Sequence, residues 1–174
     1  ISLHAWVGKK PDLSDARLAC KSHPLTDVSD YAGVVPLKNL KPRTTYYYAL
    51  TLDAQPPHQA CGHFTTFPKE GEPAPFSFAF GSCYLPKGAD SGRAFRKLNE
   101  YCANQQVEAN EPRFILMIGD QIYADMYPEN GLNKPATTRQ DYRDVYTHTW
   151  GNQDHRELLA GLPAYMTLDD HEVD

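Results

Sequence analysis

The sequence predicts a two-part α/β chain: a small all-β unit followed by a sheet flanked by helices. Three observations predict it. Residues 1–67 hold short runs that alternate polar and apolar, the period of half-buried strands. Residues 68–75, Pro68-Lys69-Glu70-Gly71-Glu72-Pro73-Ala74-Pro75, form a linker, because proline and glycine at this density continue neither a sheet nor a helix. From 76 to 174, apolar runs alternate with stretches of helical spacing in a β-α-β-α-β order.

In the first unit, Ser2–Val7, Arg17–Cys20, Val34–Leu37, Thr44–Asp53 and His63–Phe67 are the predicted strands. Thr44–Asp53 carries the strongest signal, with Tyr46, Tyr48, Leu50 and Leu52 on one face. The run Leu40-Lys41-Pro42-Arg43-Thr44-Thr45-Tyr46 resembles the tyrosine corner of fibronectin type III-like sandwiches, in which the tyrosine hydroxyl bonds back to the corner backbone. On that resemblance Ser2–Val7 falls in the middle of the sandwich, whose opening strands are missing.

In the second unit, Phe76–Phe80 is a strand ending in Gly81-Ser82-Cys83. Ala94, Phe95, Leu98, Tyr101 and Cys102 lie on one helical face, predicting a helix from Ser91 to about Gln106. Phe114–Ile118 is an unbroken apolar run, suited to a central strand buried on both faces, and ends in Gly119-Asp120. Tyr142, Val145, Tyr146 and Thr149 mark a second helix. Asn152 can cap a third, anchored by Leu158 and Leu159 and stopped by Gly161 and Pro163. Ala164–Leu168 is the third strand.

Composition narrows the function. An apolar share of 41% and a charged share of 22% support a packed core. The net charge is −5 and no basic stripe exists, which argues against tight binding of nucleic acid. No apolar run is long enough for a transmembrane segment. The chain opens inside a strand-like pattern without a methionine and stops directly after a polar motif, so both ends read as cut. Cys20, Cys61, Cys83 and Cys102 match no zinc-finger or redox spacing, and the first, second and fourth read as ordinary buried thiols.

Right-handed crossovers would make the three strands of the second unit parallel, and open α/β sheets hold their sites at the carboxyl ends of such strands. Each of the three ends in a metal-competent group: Cys83, Asp120 and the Asp169-Asp170-His171 cluster. Asp120 can cap a helix or bridge two metals, with Gly119 allowing a tight turn beneath it. One helical turn on, Tyr123 would present its phenol to the same face. Asp125 lies at a less favourable angle and reads as a solvated surface residue. Cys83 is either a small buried side chain or a thiolate ligand. His171 beside Asp170 pairs a proton donor with a ligand. The remaining histidines, His4, His23, His58, His63, His148 and His155, read as surface or satisfied core residues.

Phe78-Ala79-Phe80-Gly81-Ser82-Cys83, Gly119-Asp120-Gln121-Ile122-Tyr123 and Leu168-Asp169-Asp170-His171-Glu172-Val173-Asp174 together resemble the motifs of the PhoD-like alkaline phosphatase/phosphodiesterase family, a branch of the calcineurin-like metallophosphoesterases. The resemblance implies a partial metallophosphoesterase β-sandwich flanked by helices behind a small β-sandwich domain. It implies a secreted or periplasmic enzyme that hydrolyses small phosphate mono- or diesters by attack of a metal-bound hydroxide. It implies a ferric ion held by Cys83, Asp120 and Tyr123, and a second divalent ion, calcium by expectation, sharing Asp120. Asp170 stands where the superfamily has a ligand Asn, with Asp169 the runner-up, and His171 stands at the phosphate-contacting histidine. Further family ligands lie downstream of residue 174, so the chain alone is expected to be inactive. Two rival readings remain: a thiol hydrolase using Cys83 with His171, which a chelator would spare and an alkylating agent would stop, and a non-catalytic binding module.

Overall fold

Phe114–Ile118 becomes the centre of a sheet, and the rest of the second unit is built around it. In the computed structural model, residues 1–55, 57–87, 91–104 and 110–173 are described. The chain divides into two units, Ile1–Ala74 and Pro75–Asp174.

The first unit is a four-stranded antiparallel sheet of β1 (His4–Gly8), β2 (Arg17–Lys21), β3 (Thr45–Thr51) and β4 (Gly62–Thr65), in the order β2-β1-β3-β4. Trp6, Val7, Leu13, Leu25, Tyr46 and Ala49 form its buried interior. The Tyr46 hydroxyl accepts a hydrogen bond from the Lys41 backbone amide at 2.9 Å, the tie expected of the corner. Two expectations differ from the structure. Val34–Leu37 forms no strand: Pro36 has no amide proton to donate to a ladder, and Val34 stays 82% exposed. Among the described residues this unit has one sheet, and a second sandwich layer has no counterpart in them.

The second unit is α/β, with β5 (Ser77–Gly81), α1 (Arg93–Ala103), β6 (Pro112–Ile118), α2 (Arg139–Trp150), α3 (Gln153–Gly161) and β7 (Ala164–Thr167). The strands are parallel, in the order β5-β6-β7. The expected extension of α1 to Gln106 falls outside the described residues. Alternation along β6 sends Ile115 and Met117 to one face, where they pack with Phe95 of α1 and Leu158 and Leu162 from α3 and its end. Phe114 lies on the other face, stacked on Phe78 with ring centroids 5.3 Å apart. Among the described residues the central strand is thus covered by helices on one face, not on both, and Ile118 is 48% exposed.

Sequence-local chemistry sets the helix starts. Thr138 accepts from the Asp141 amide at 3.1 Å while the Asp141 carboxylate accepts from the Thr138 amide at 2.9 Å, a reciprocal box that opens α2. Asn152 caps α3 by accepting from the His155 amide at 3.1 Å, and its amide group donates to the Ser91 carbonyl at 3.1 Å. One side chain therefore ties the start of α3 to the approach to α1. Gly92 leaves room for it: a Cβ there would come within 2.5 Å of the Asn152 side-chain oxygen.

Candidate metal centre

Parallel strands place their carboxyl ends side by side, and here those ends meet. The Cys83 amide donates to the Gly119 carbonyl at 3.2 Å, and the Tyr84 amide to the Asp120 carbonyl at 2.8 Å. The turns after β5 and β6 are therefore locked together. Cys83 (φ 63°) and Asp120 (φ 53°) both sit in the left-handed region, which L side chains adopt at a cost. Gly119, at φ 104°, packs against the β7 turn so tightly that a Cβ would meet the Asp169 Cβ at 2.5 Å.

The result is a cluster of donors. One side-chain donor atom from each of Asp120, Asp170 and His171 lies within 4.8 Å of the others. The Cys83 sulfur lies 3.3 Å from both Asp120 Oδ2 and Ser82 Oγ, and its one proton can be donated to either. Asp120 Oδ1 is buried with no hydrogen-bond partner. An orphaned carboxylate oxygen in a buried position is costly unless something cationic meets it. The Tyr123 phenol joins the same group: burial first, then the neighbouring Cys83 and Asp120, pushes its pKa up. Its ring lies 4.2 Å from the His171 ring, centroid to centroid.

Tyr123 arrives by a different route from the one expected. Residues 119–138 form an irregular loop, not a helical turn. The loop is held by Asn130, whose side chain donates to the carbonyls of Ala124 and Lys134, each at 3.0 Å, and accepts from the Leu132 amide at 2.8 Å. Asp125, read from the sequence as a solvated surface residue, is part of the site. Its Oδ1 meets His171 Nδ1 at 2.7 Å, and this bond is the first cause of the raised His171 pKa, ahead of the charges of Asp120 and Asp170. The loop folds back because the Ala124 amide donates to the His171 carbonyl at 3.0 Å, a contact across 47 residues with no local signature.

Asp169 and Asp170 separate by role. Asp169 caps the 3-10 turn Asp170–Glu172, its Oδ1 accepting from the Asp170 amide at 3.1 Å, whereas Asp170 contributes to the donor cluster. Glu172, the last residue of that turn, is 6% exposed and was given no role by sequence reasoning. Its acidic identity next to three site candidates was the only available signal.

Other expectations need correction. All four cysteines are free, yet Cys61 and Cys83 are exposed and Cys20 and Cys102 only half-buried, so none is a fully buried thiol. His155 is buried in the core but not satisfied, since neither ring nitrogen has a partner. A cavity of about 350 Å³ opens beside the cluster, lined by Ala79, Phe95, Leu98, Ile115 and Met117, with Cys83 and Asp120 in its wall.

The chain is similar in fold to a solved structure described as "Structure of PhoD", with a TM-score of 0.75 and 23% identity over 100% of this chain and 33% of that one. It thus spans about a third of that chain's length. A search of curated proteins found no match. Residues 82–174 match the family model described as "PhoD-like phosphatase", more than half of the sequence and all of the donor cluster. The chain belongs to the PhoD-like phosphatase family.

Proposed function

We propose that this chain carries part of the active centre of a metal-dependent hydrolase of phosphate mono- or diesters. One observation carries the reading: the buried, unpartnered Oδ1 of Asp120 lies within a cluster that also contains Asp170 and His171. The donor set fits a pair of cations. Cys83, Asp120 and Tyr123 offer sulfur, carboxylate and phenol donors suited to a ferric ion, and Asp120 and Asp170 offer the oxygens calcium prefers. When bound, such ions neutralise charge on phosphoryl oxygens and supply an activated nucleophile at neutral pH.

The side chains around them divide the remaining work. Asp125 holds His171 through Nδ1, which fixes the ring and favours its protonated form. His171 then presents its other nitrogen as the group that stabilises or protonates the leaving oxygen. The apolar cavity beside Asp120 offers a seat for the organic part of the ester. A Cys83–His171 thiol mechanism receives less support, because the Cys83 hydrogen bonds run to Ser82 and Asp120.

The test is Asp120→Asn in the longest chain that carries this segment. Metal content and hydrolysis of p-nitrophenyl phosphate and bis-p-nitrophenyl phosphate should fall together, activity by at least about 100-fold, about 3 kcal/mol in the barrier. Activity that survives a chelator but not an alkylating agent would move the chemistry to Cys83.

A further inference from the structure

We infer that Glu172 is a positioning residue: it clasps the Asp120 loop to the Asp169–His171 turn and thereby sets the geometry of the donor cluster. The inference rests on the metal-centre reading above for its consequence, but the clasp itself stands on the hydrogen bonds alone.

The Glu172 carboxylate is buried and lies among backbone amides. Oε2 accepts from the Asp120 amide at 3.1 Å and from the Asp169 amide at 2.7 Å. Oε1 accepts from the Gln121 amide and, at 3.3 Å, from the Ile122 amide. Four N–H groups from two separate turns thus converge on one anion. Among the described residues no cationic side chain pairs with it, so its burial is offset by these amides. The donors are not incidental: three belong to the loop that carries Asp120 and Tyr123, and the fourth belongs to the residue before Asp170. The Gln121 side chain adds a parallel tie, donating to the Thr167 carbonyl at 2.7 Å.

This arrangement explains how the strained Asp120 turn stays in register with the Asp169–His171 turn. Asp120 holds a left-handed φ, and although Asp tolerates that region, its local preference alone does not favour it over a relaxed turn. The clasp does, because a relaxed turn would withdraw its amides from a buried carboxylate and leave it unpaired. Loosening it would let Asp120 drift from Asp170 and His171, and a cation would then have to reassemble its donors on binding. Outer groups that orient metal donors typically alter affinity about 10–100-fold when lost.

Two substitutions separate position from charge. Glu172→Gln keeps the shape but points an NH2 group at two amide donors. Glu172→Asp keeps the charge but shortens the reach by one methylene. Tb3+, a hard cation followed by its luminescence, is titrated into the wild-type chain and both variants. Asn152→Ala serves as a control that loses stability away from the cluster. Both Glu172 variants should bind Tb3+ at least about 10-fold more weakly, and the control should bind as wild type does. If Glu172→Asp binds within about twofold of wild type, charge alone is at work and positioning is overturned.

Should either variant fail to fold, amide exchange in the wild type decides. The amides of Asp120, Gln121, Ile122 and Asp169 should exchange slowly and as a group, and fast exchange at these four would overturn the clasp. A wild type that binds no Tb3+ yet protects the four amides supports the clasp and sinks the metal-centre reading instead.

Discussion

His155 is fully buried, and neither of its ring nitrogens has a hydrogen-bond partner. It behaves as an aromatic side chain. Its ring stacks on Phe95 at 4.2 Å, with Tyr84 and Trp150 edge-on at 5.6 and 5.8 Å. Burial lowers its pKa from 6.5 to about 4. The folded state therefore resists the proton that the unfolded chain accepts. Stability from this group is full above pH 6.5 and declines as pH falls from 6.5 towards about 4, below which the loss is complete. The full window corresponds to roughly 3 kcal/mol. We expect His155→Leu to remove this limb: urea midpoints measured from pH 7 to pH 4 should fall less in the variant than in wild type. Parallel curves for the two proteins would show that His155 is protonated or solvated in the fold. The sequence placed this residue in the core or on the surface, and it could go no further. Helical spacing puts it on the α3 face shared with Leu158, but whether its nitrogens find partners depends on α1, which lies about sixty residues earlier.

Elements were legible where one signal governs them. The runs Phe76–Phe80, Phe114–Ile118 and Ala164–Leu168 each became a strand of the parallel sheet, because handed crossovers leave little choice of direction. That direction brings Cys83, Asp120, Asp170 and His171 to the same end of the sheet. The loop 119–138 was not legible, because its shape comes from two distant partners, the Glu172 carboxylate and the His171 carbonyl, and from the buried Asn130 side chain within it. Asp125 was misplaced for the same reason. A three-residue helical count carries Tyr123 to the site by coincidence and leaves Asp125 outside, whereas the real loop brings both. Asn152 shows the opposite case, a cap readable from sequence whose second bond was not. Its link to Ser91 joins two helices, so Asn152→Ala should cost more than a simple cap. We expect a loss of about 1–2 kcal/mol in thermal or urea unfolding. Amide exchange in the first turn of α1 should quicken as well as in α3. An effect confined to α3 would show that the Ser91 bond contributes nothing.

At the scale of the whole molecule, the two faces of the parallel sheet differ sharply. One face carries α1 and α3. The other presents a ladder of aromatic rings, Phe76, Phe78, Phe80, Phe114 and Tyr165, linked by centroid distances of 5.3 to 6.4 Å. Phe80 is 71% exposed and Tyr165 59%. Alternation in β5 makes this unavoidable: turning Ala79 towards the helices turns Phe78 and Phe80 away from them. A contiguous apolar patch of this kind on a free chain invites association. Among the described residues β5 and β7 are the outer strands of the sheet, and an outer strand offers a template for pairing with another copy. We therefore expect the 174-residue chain to bind a solvatochromic dye such as ANS and to self-associate as concentration rises. Sedimentation velocity over a concentration series reads the second effect. The double substitution Phe78→Ser, Phe80→Ser should reduce both dye binding and association. It should cost little stability, about 1–2 kcal/mol, because Phe80 is largely exposed and Phe78 half-exposed already. Core rings make a control: Phe95→Ser should instead unfold the second unit, since Phe95 packs between Tyr84 and His155. A wild-type chain that stays monomeric at high concentration and leaves the dye dark would mean that the aromatic ladder is covered in solution by contacts within the chain itself.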